Sequence, residues 1–207
     1  MPKSRSRLRA LEIAALVALI MTFFVQMLPF CRGCRDLYDN MLRLHVIANS
    51  DSAEDQRLKL LVRDTVLREG AALFDGSADV QSAREKLEPH FPTLEQAAEA
   101  VLRENGCGDP VNITMERTYF DTRTYGEYTV PAGFYTAMCV RIGNAAGQNW
   151  WCVMFPPLCL PAASKNTDAV FTPEGQAVLS GKAKYDVRFK VVEWVQKARE
   201  KSASGRA

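Results

Sequence analysis

Histidine is nearly absent: His45 and His90 are the only two in 207 residues. That is too few for a histidine-rich metal site, and it confines any histidine-assisted nucleophile to two positions. The H-E-x-x-H pattern of metalloproteases, the EF-hand loop and a glycine-rich phosphate loop after a strand are all missing. Net charge is small as well, formally +2, and no Lys/Arg cluster is interleaved with aromatic residues. Nucleic acid is therefore not an expected partner. No internal repeat is visible. The chain is expected to carry no metal and no cofactor, and no catalytic constellation stands out.

Apolar residues make up 47% of the chain, enough for one domain with a sizeable core. The first thirty residues stand apart. Lys3, Arg5, Arg7 and Arg9 precede an apolar run from Ile13 to Leu28, broken only by Thr22 and Gln26. This is the layout of a secretory signal or a single membrane anchor, with the basic end cytoplasmic and the remainder exported. The run is shorter than the ~20 residues of a full span, which favours a signal. No small-x-small cleavage site follows it, which favours an uncleaved anchor.

Met41 to Ala48 alternates, with Leu42, Leu44 and Val46 on one face and Arg43 and His45 on a polar face, as in a half-buried strand. Asp51 with Glu54, and Ser52 with Asp55, have the spacing of a capped helix start, and the helix runs to about Leu73. A second helix spans about Asp79 to His90, and Thr93 caps a third that ends at Asn105-Gly106. Strands follow over 111–116 and 134–142. The densest stretch is Asn149-Trp150-Trp151-Cys152-Val153-Met154-Phe155-Pro156-Pro157-Leu158-Cys159. Trp150, Cys152 and Met154 share one face of a strand, and Trp151, Val153 and Phe155 the other. Both faces are apolar, so this strand is expected at the centre of the sheet. The short loop 143–148 suggests that it pairs with 134–142 as an antiparallel hairpin. Near the end, Val187, Val191, Trp194, Val195 and Ala198 recur at helical spacing, with Trp194 on the buried face. The fold class is α+β, helices packed on one face of a mixed or antiparallel sheet behind an N-terminal signal or anchor helix. The domain plan is signal or anchor 1–30, membrane-proximal spacer 31–40, core domain 41–160, loop 161–184, C-terminal helix 185–200 and disordered tail 201–207.

Outside the cytoplasm the six cysteines are able to form disulfides. Cys152 and Cys159 flank the Pro156-Pro157 bend and are expected to pair across it, holding Trp151, Phe155 and Leu158 in place. Cys31 and Cys34 have C-x-x-C spacing without a second pair or a nearby histidine; they, Cys107 and Cys139 are left unassigned. Asp51, Glu54 and Asp55 have the chemistry of a hard-cation cluster, although helix capping accounts for the same residues. A histidine beside Cys152 or Cys159 would make an exported cysteine-dependent enzyme of the cell envelope, the alternative reading.

Two long motifs carry a resemblance. Arg43-Leu44-His45-Val46-Ile47-Ala48-Asn49-Ser50-Asp51-Ser52, with Asp55-Gln56 and Lys59 to Val66 including Arg63-Asp64, is similar to the N-terminal signature of the stage II sporulation protein R family. Tyr125-Gly126, Pro131-Ala132-Gly133, Tyr135, Ala137, Gly147 and the Asn149-to-Cys159 stretch resemble its second half, with Val130 where that family usually has Tyr. The resemblance covers about Met41 to Leu160. It implies a signalling protein, not an enzyme, exported from the forespore into the space between the septal membranes. There such a protein triggers a membrane-embedded aspartic-type protease of the mother cell, which matures an inactive sigma-factor precursor. The candidate contacts with that protease are Trp150 and Trp151, with Asn49, Asp51, Asp55 and Arg63 of the first motif.

Overall fold

The computed structural model describes residues 2–73, 77, 79–156, 170–181 and 193–196, with residues 2–9 and 71 described by backbone alone. The elements in order are α1 (Pro2–Asp39), β1 (Leu42–Ile47), α2 (Ala53–Leu73), α3 (Val80–Leu87), a 3-10 turn Glu88–His90, α4 (Phe91–Glu104), β2 (Val111–Phe120), β3 (Arg123–Tyr125), β4 (Tyr128–Val130), β5 (Gly133–Ile142), β6 (Asn149–Phe155) and α5 (Pro173–Leu179). Four strands form a mixed sheet in the order β2-β5-β1-β6, and β3-β4 is a separate hairpin. The fold is α+β, as the sequence implies.

The strand order corrects two expectations. β5 and β6 do not form a hairpin: β1 lies between them, parallel to β5 and antiparallel to β6. Nor is the Trp-Trp strand central, since β6 is an edge strand and β1 and β5 are the inner pair. The connection 143–148 must therefore cross the end of β1, about two strand spacings or ~10 Å, which six residues reach.

Its two apolar faces have a different cause: the sheet is covered on both sides. On one face Leu58, Val62 and Val66 of α2 and Leu94 and Leu102 of α4 pack on Leu42, Leu44 and Val46 of β1 and Met138 and Val140 of β5. On the other, Phe30, Cys34 and Leu37 of α1 and Val178 and Leu179 of α5 join Phe120, Val130, Tyr135, Ala137 and Val153. That second layer explains why Arg43 and His45, expected on a polar face, are buried. Phe155 also changes sides and joins the first core with Met154. A register shift between Leu42 and Arg43 sets Leu42 against Phe155 and Arg43 against Val153, so Met154 is the extra residue of a bulge that reverses the face.

The helix ends repay attention to chemistry. Ser52, not Asp51, caps α2, its hydroxyl accepting from the Asp55 N–H at 3.0 Å. Asp79 and Ser82 form a reciprocal capping box at α3. α4 begins at Phe91, with Pro92 in its first turn, so Thr93 lies inside the helix and caps nothing. The stretch 161–184, read as loop, contains α5. Thr172 caps it and Pro173 opens it, a local signal that its short length had hidden. Residues 193–196 are helical. Trp194, expected on a buried face, is 81% exposed there. Within that turn Val195 lines the groove beside α1, so Trp194 is turned away. The rest of the proposed 185–200 helix and the 201–207 tail lie outside the described residues.

Residues 31–39, read as a spacer, are the last turns of α1 and part of the domain. Leu37 and Met41 are fully buried, and Phe30 and Cys34 nearly so. The C-x-x-C spacing has a packing reason. A Cβ on Gly33 would collide with the Glu174 carbonyl, so this glycine lets α5 lie directly on α1. Asp36 completes the contact by accepting from the Thr172 N–H and hydroxyl, each at 2.8 Å. From Leu11 to Leu28, by contrast, the large apolar residues of α1 are exposed, except the partly buried Met27. One unbroken helix thus runs from a bilayer-suited segment into the core.

Truncation tests this continuity. A chain starting at Gln26 keeps the docked turns and should unfold cooperatively in urea. A chain starting at Leu42 loses four buried side chains at about 1.5–3 kcal/mol each, comparable to the 5–15 kcal/mol of a whole domain. It should show no cooperative transition. Equal midpoints for the two would refute the docking of α1.

Candidate functional site

The two motifs meet at the end of β1. As the chain leaves β1 it passes through Ala48-Asn49-Ser50-Asp51-Ser52 into α2, and the crossing loop lies directly on this corner. The Ala146 and Gly147 N–H groups donate to the Asn49 and Ala48 carbonyls at 3.1 and 2.9 Å. The Asn49 side chain accepts from Asn144 N–H at 2.9 Å, and Asp51 accepts from Gln148 N–H at 2.7 Å. Asp55 underpins the corner by accepting from the Ser50 hydroxyl and from the Asn49 amide. These donors, Ser50 first, hold its carboxyl below the usual range. Of the proposed contact residues, Asn49, Asp51 and Asp55 are thus spent on positioning the loop that delivers Asn149 and Trp150.

The three carboxylates read as a possible cation cluster face different partners. Asp51 and Asp55 are engaged as above, and Glu54 pairs with Arg57 at 2.7 Å. Among the described residues no group of three His, Cys, Asp or Glu side chains is placed to hold a metal ion. Lys59 is a member of the site that sequence reasoning missed. It is buried, and its ammonium donates to the Gln148 carbonyl at 2.9 Å. Burial is the main cause of its lowered pKa. Its place inside the apolar run Leu58-Lys59-Leu60-Leu61 was the available signal.

The two tryptophans have different situations. Trp150 is 38% exposed, and the Arg63 guanidinium sits 4.4 Å from its ring centroid, a cation–π pair that holds the indole outward on the strand. Arg63 is itself paired with Asp64 at 2.6 Å. Trp151 turns to the other face, stacks on His45 at 3.9 Å and 13°, and meets Phe120 edge-on at 4.7 Å. Trp151 is therefore partly buried against the core, and Trp150 is the surface one.

Beneath Trp151 lies the least expected side chain, the fully buried Arg43. Its Nε donates to the Cys152 carbonyl and its Nη2 to the Tyr125 hydroxyl, both at 2.9 Å. Its guanidinium carbon lies 4.2 Å from the Phe120 ring centroid and 5.1 Å from that of Tyr135. Among the described residues Nη1 has no hydrogen-bond partner. Burial lowers its pKa, yet a guanidinium stays charged under any ordinary condition. The cation thus ties β1 to β6 and to the β3-β4 hairpin by hydrogen bonds, and to β2 and β5 through aromatic faces.

Cys31, Cys34, Cys107 and Cys139 are free thiols. Cys152 is buried. Cys159 lies outside the described residues. His45 contacts Cys139, at 3.8 Å from Nδ1 to sulfur, rather than Cys152, and its Nε2 meets the Asn149 amide oxygen at 2.9 Å. Burial raises the Cys139 pKa and lowers that of His45. Both shifts keep the proton on sulfur, opposite to what a thiolate nucleophile needs. His90 is exposed, its Nδ1 against the Lys86 carbonyl.

Comparison with known proteins agrees with this pairing of motifs. A family model described as Stage II sporulation protein R matches residues 38–165, which include β1 through β6. A relative from Bacillus subtilis (strain 168), named Stage II sporulation protein R, is 31% identical over 182 residues, 76% of this chain and 80% of the relative. No solved structure matches the chain.

Gly147 tests the corner. A Cβ there would overlap the Ser50 carbonyl, so the loop rests on the motif without room for a side chain. Gly147→Ala should cost about 1–3 kcal/mol, as overpacking does, read from urea midpoints. Ala146→Ser, at a neighbouring exposed position, should cost little. Equal effects from the two would show that the contact between the motifs is loose.

Proposed function

Because the chain belongs to the stage II sporulation protein R family, we propose that it is the exported forespore signal that switches on a membrane-embedded aspartic-type protease of the mother cell. That protease then matures an inactive sigma-factor precursor. Family membership carries the reading, and three features support it. α1 contains a stretch long and apolar enough to cross a membrane, within Ala10–Asp39 and only 6% buried, as an export signal or anchor requires. The one Cys–His contact among the described residues is buried, and burial raises the thiol pKa, which favours a binding role over the cysteine-enzyme alternative. Finally, Trp150 with Arg63 presents an aromatic and a cation together, residue types enriched at the energetic centres of interfaces.

Trp150 is the proposed anchor for the protease, and Asn49, Asp51 and Asp55 serve it indirectly by fixing the loop. Trp151 supports it from below. We further propose a disulfide between Cys152 and Cys159, across the Pro156-Pro157 bend, where it would fix the exit of β6. Stabilisation from so short a loop is at most about 2–3 kcal/mol in the chain-entropy picture, so its main effect is to hold the strand end. Non-reducing peptide mapping of exported chain should recover Cys152 joined to Cys159. Recovery of Cys159 alkylated without reductant would exclude that pairing.

The function is tested by co-expressing the chain with the candidate protease and the sigma precursor in a non-sporulating host. Cleavage of the precursor should require the chain. Trp150→Ala should lower cleavage by at least about tenfold, the loss of a modest interface anchor, with an unchanged circular dichroism spectrum. Cleavage without the chain would remove the signalling role; undiminished cleavage with the folded variant would move the contact away from Trp150.

A further inference from the structure

A cleft of about 460 Å³ opens beside the last turns of α1. Met27, Cys31, Arg35 and Tyr38 form its α1 wall, with Arg117 of β2 and Phe134 of β5 opposite. Its lower end is Met27, the last partly buried residue of the apolar run, so the cleft begins where α1 would leave the bilayer.

Two of the three charged side chains lining the cleft are cations. Arg35 and Arg117 are both exposed, and neither has a hydrogen bond or ion pair among the described residues. Asp39 is the carboxylate on the rim. Two unneutralised guanidiniums facing a shared space make a site for a phosphate, which arginine binds in fork geometry.

Position along the helix decides the source of that phosphate. Arg35 lies seven residues beyond Leu28, about 10 Å along the axis. The head-group layer extends about 5–8 Å beyond each side of the hydrocarbon. Helical side chains tilt toward the N-terminus, here toward the membrane, so the Arg35 side chain leans back into that layer. Met27 and Phe134 supply apolar wall for the first part of an acyl chain.

We propose that this cleft binds the head group of an anionic phospholipid of the bilayer crossed by α1, with the phosphate held by Arg35 and Arg117. The inference rests on α1 being retained as an anchor. A zwitterionic head group would bring an ammonium against two guanidiniums, with Asp39 the one carboxylate of the lining to set against them. Binding at this point would fix the tilt and rotation of the domain on the membrane, and with them the direction in which β6 and Trp150 face.

The full chain is reconstituted in phosphatidylcholine vesicles carrying photoactivatable phosphatidylglycerol or, separately, photoactivatable phosphatidylcholine. Cross-linked peptides are mapped by mass spectrometry. Phosphatidylglycerol should label the Met27–Asp39 segment and the peptides containing Arg117 and Phe134 at least about fivefold more than phosphatidylcholine, the effect of roughly one basic contact. Arg35→Gln with Arg117→Gln should remove the excess while the chain still resists alkaline extraction, and Arg63→Gln should leave it intact. Equal labelling by the two lipids, an excess that survives the double variant, or no labelling of the cleft overturns the proposal. Release of the wild-type chain by alkaline extraction overturns it by a different route, through loss of the anchor; precursor cleavage in the co-expression assay would then still stand or fall separately.

Discussion

The passage of residues 143–148 over the end of β1 is the constraint on which the rest of the structure depends. It separates β5 from β6 and makes β1 the strand that joins them, parallel to one and antiparallel to the other. β1 then has to satisfy neighbours from far along the chain on both edges. The loop stays down because backbone meets backbone, with Ala146 and Gly147 donating to Asn49 and Ala48. Side chains complete the contact, Asn49 and Asp51 accepting from the loop's N–H groups and Lys59 donating to its carbonyl. Of these side chains Lys59 is buried, and leaving its ammonium unpaired would cost about 1–3 kcal/mol or more; Asn49 and Asp51 lie nearer the surface, and their bonds position the loop.

Arg43 follows from that arrangement. A buried guanidinium without a carboxylate carries a desolvation cost of several kcal/mol. Cation–π contacts with Phe120 and Tyr135 and hydrogen bonds to Cys152 and Tyr125 offset it, at about 2 kcal/mol for each desolvated ring contact and about 1.5–3 kcal/mol for each charge-assisted bond. These partners come from β2, β5, β6 and the β3-β4 hairpin. The cation is therefore stable only when all four are assembled, and it specifies the second face of the sheet more than it strengthens it.

What sequence reasoning could see, and what it could not, divides along the same lines. Periodicity placed β1, α2 and β5 because each signal is local and each element is long. The loop 143–148 looked like a hairpin connection because its glycines and length are those of one; only the hydrogen bonds to Asn49 distinguish the crossing. Arg43 and His45 looked solvent-facing because their aromatic covers, Phe120, Tyr135 and Trp151, lie some 75 to 108 residues away. α5 was hidden by its seven-residue length. The alternation of Trp150 and Trp151 was legible, whereas which face was dry was not, since that depended on α1 folding back as part of the domain. The motifs identified the site even where its chemistry was misassigned. Asp51 was read as a cap and turned out to hold a loop.

The protected edges of the sheet narrow the search for a partner surface. At the β2 edge, the Ile113 and Val111 N–H groups donate to Glu95 and Glu99, at 2.7 and 3.3 Å. Two carboxylates one helical turn apart on α4 thus occupy donors that an incoming strand would need. Outside α1, the exposed large apolar side chains among the described residues are Trp150, Trp194 and Val195. Val195 borders the cleft beside the last turns of α1. Trp150 stands on β6 beside α2, held by Arg63. An indole fixed on a strand by a neighbouring cation loses little conformational entropy on binding, which is the property expected of an anchor. The corner built by Asn49, Asp51 and Gly147 then has a functional meaning beyond stability: it sets the register of β6, and a slip of one residue would turn Trp150 inward and Trp151 out.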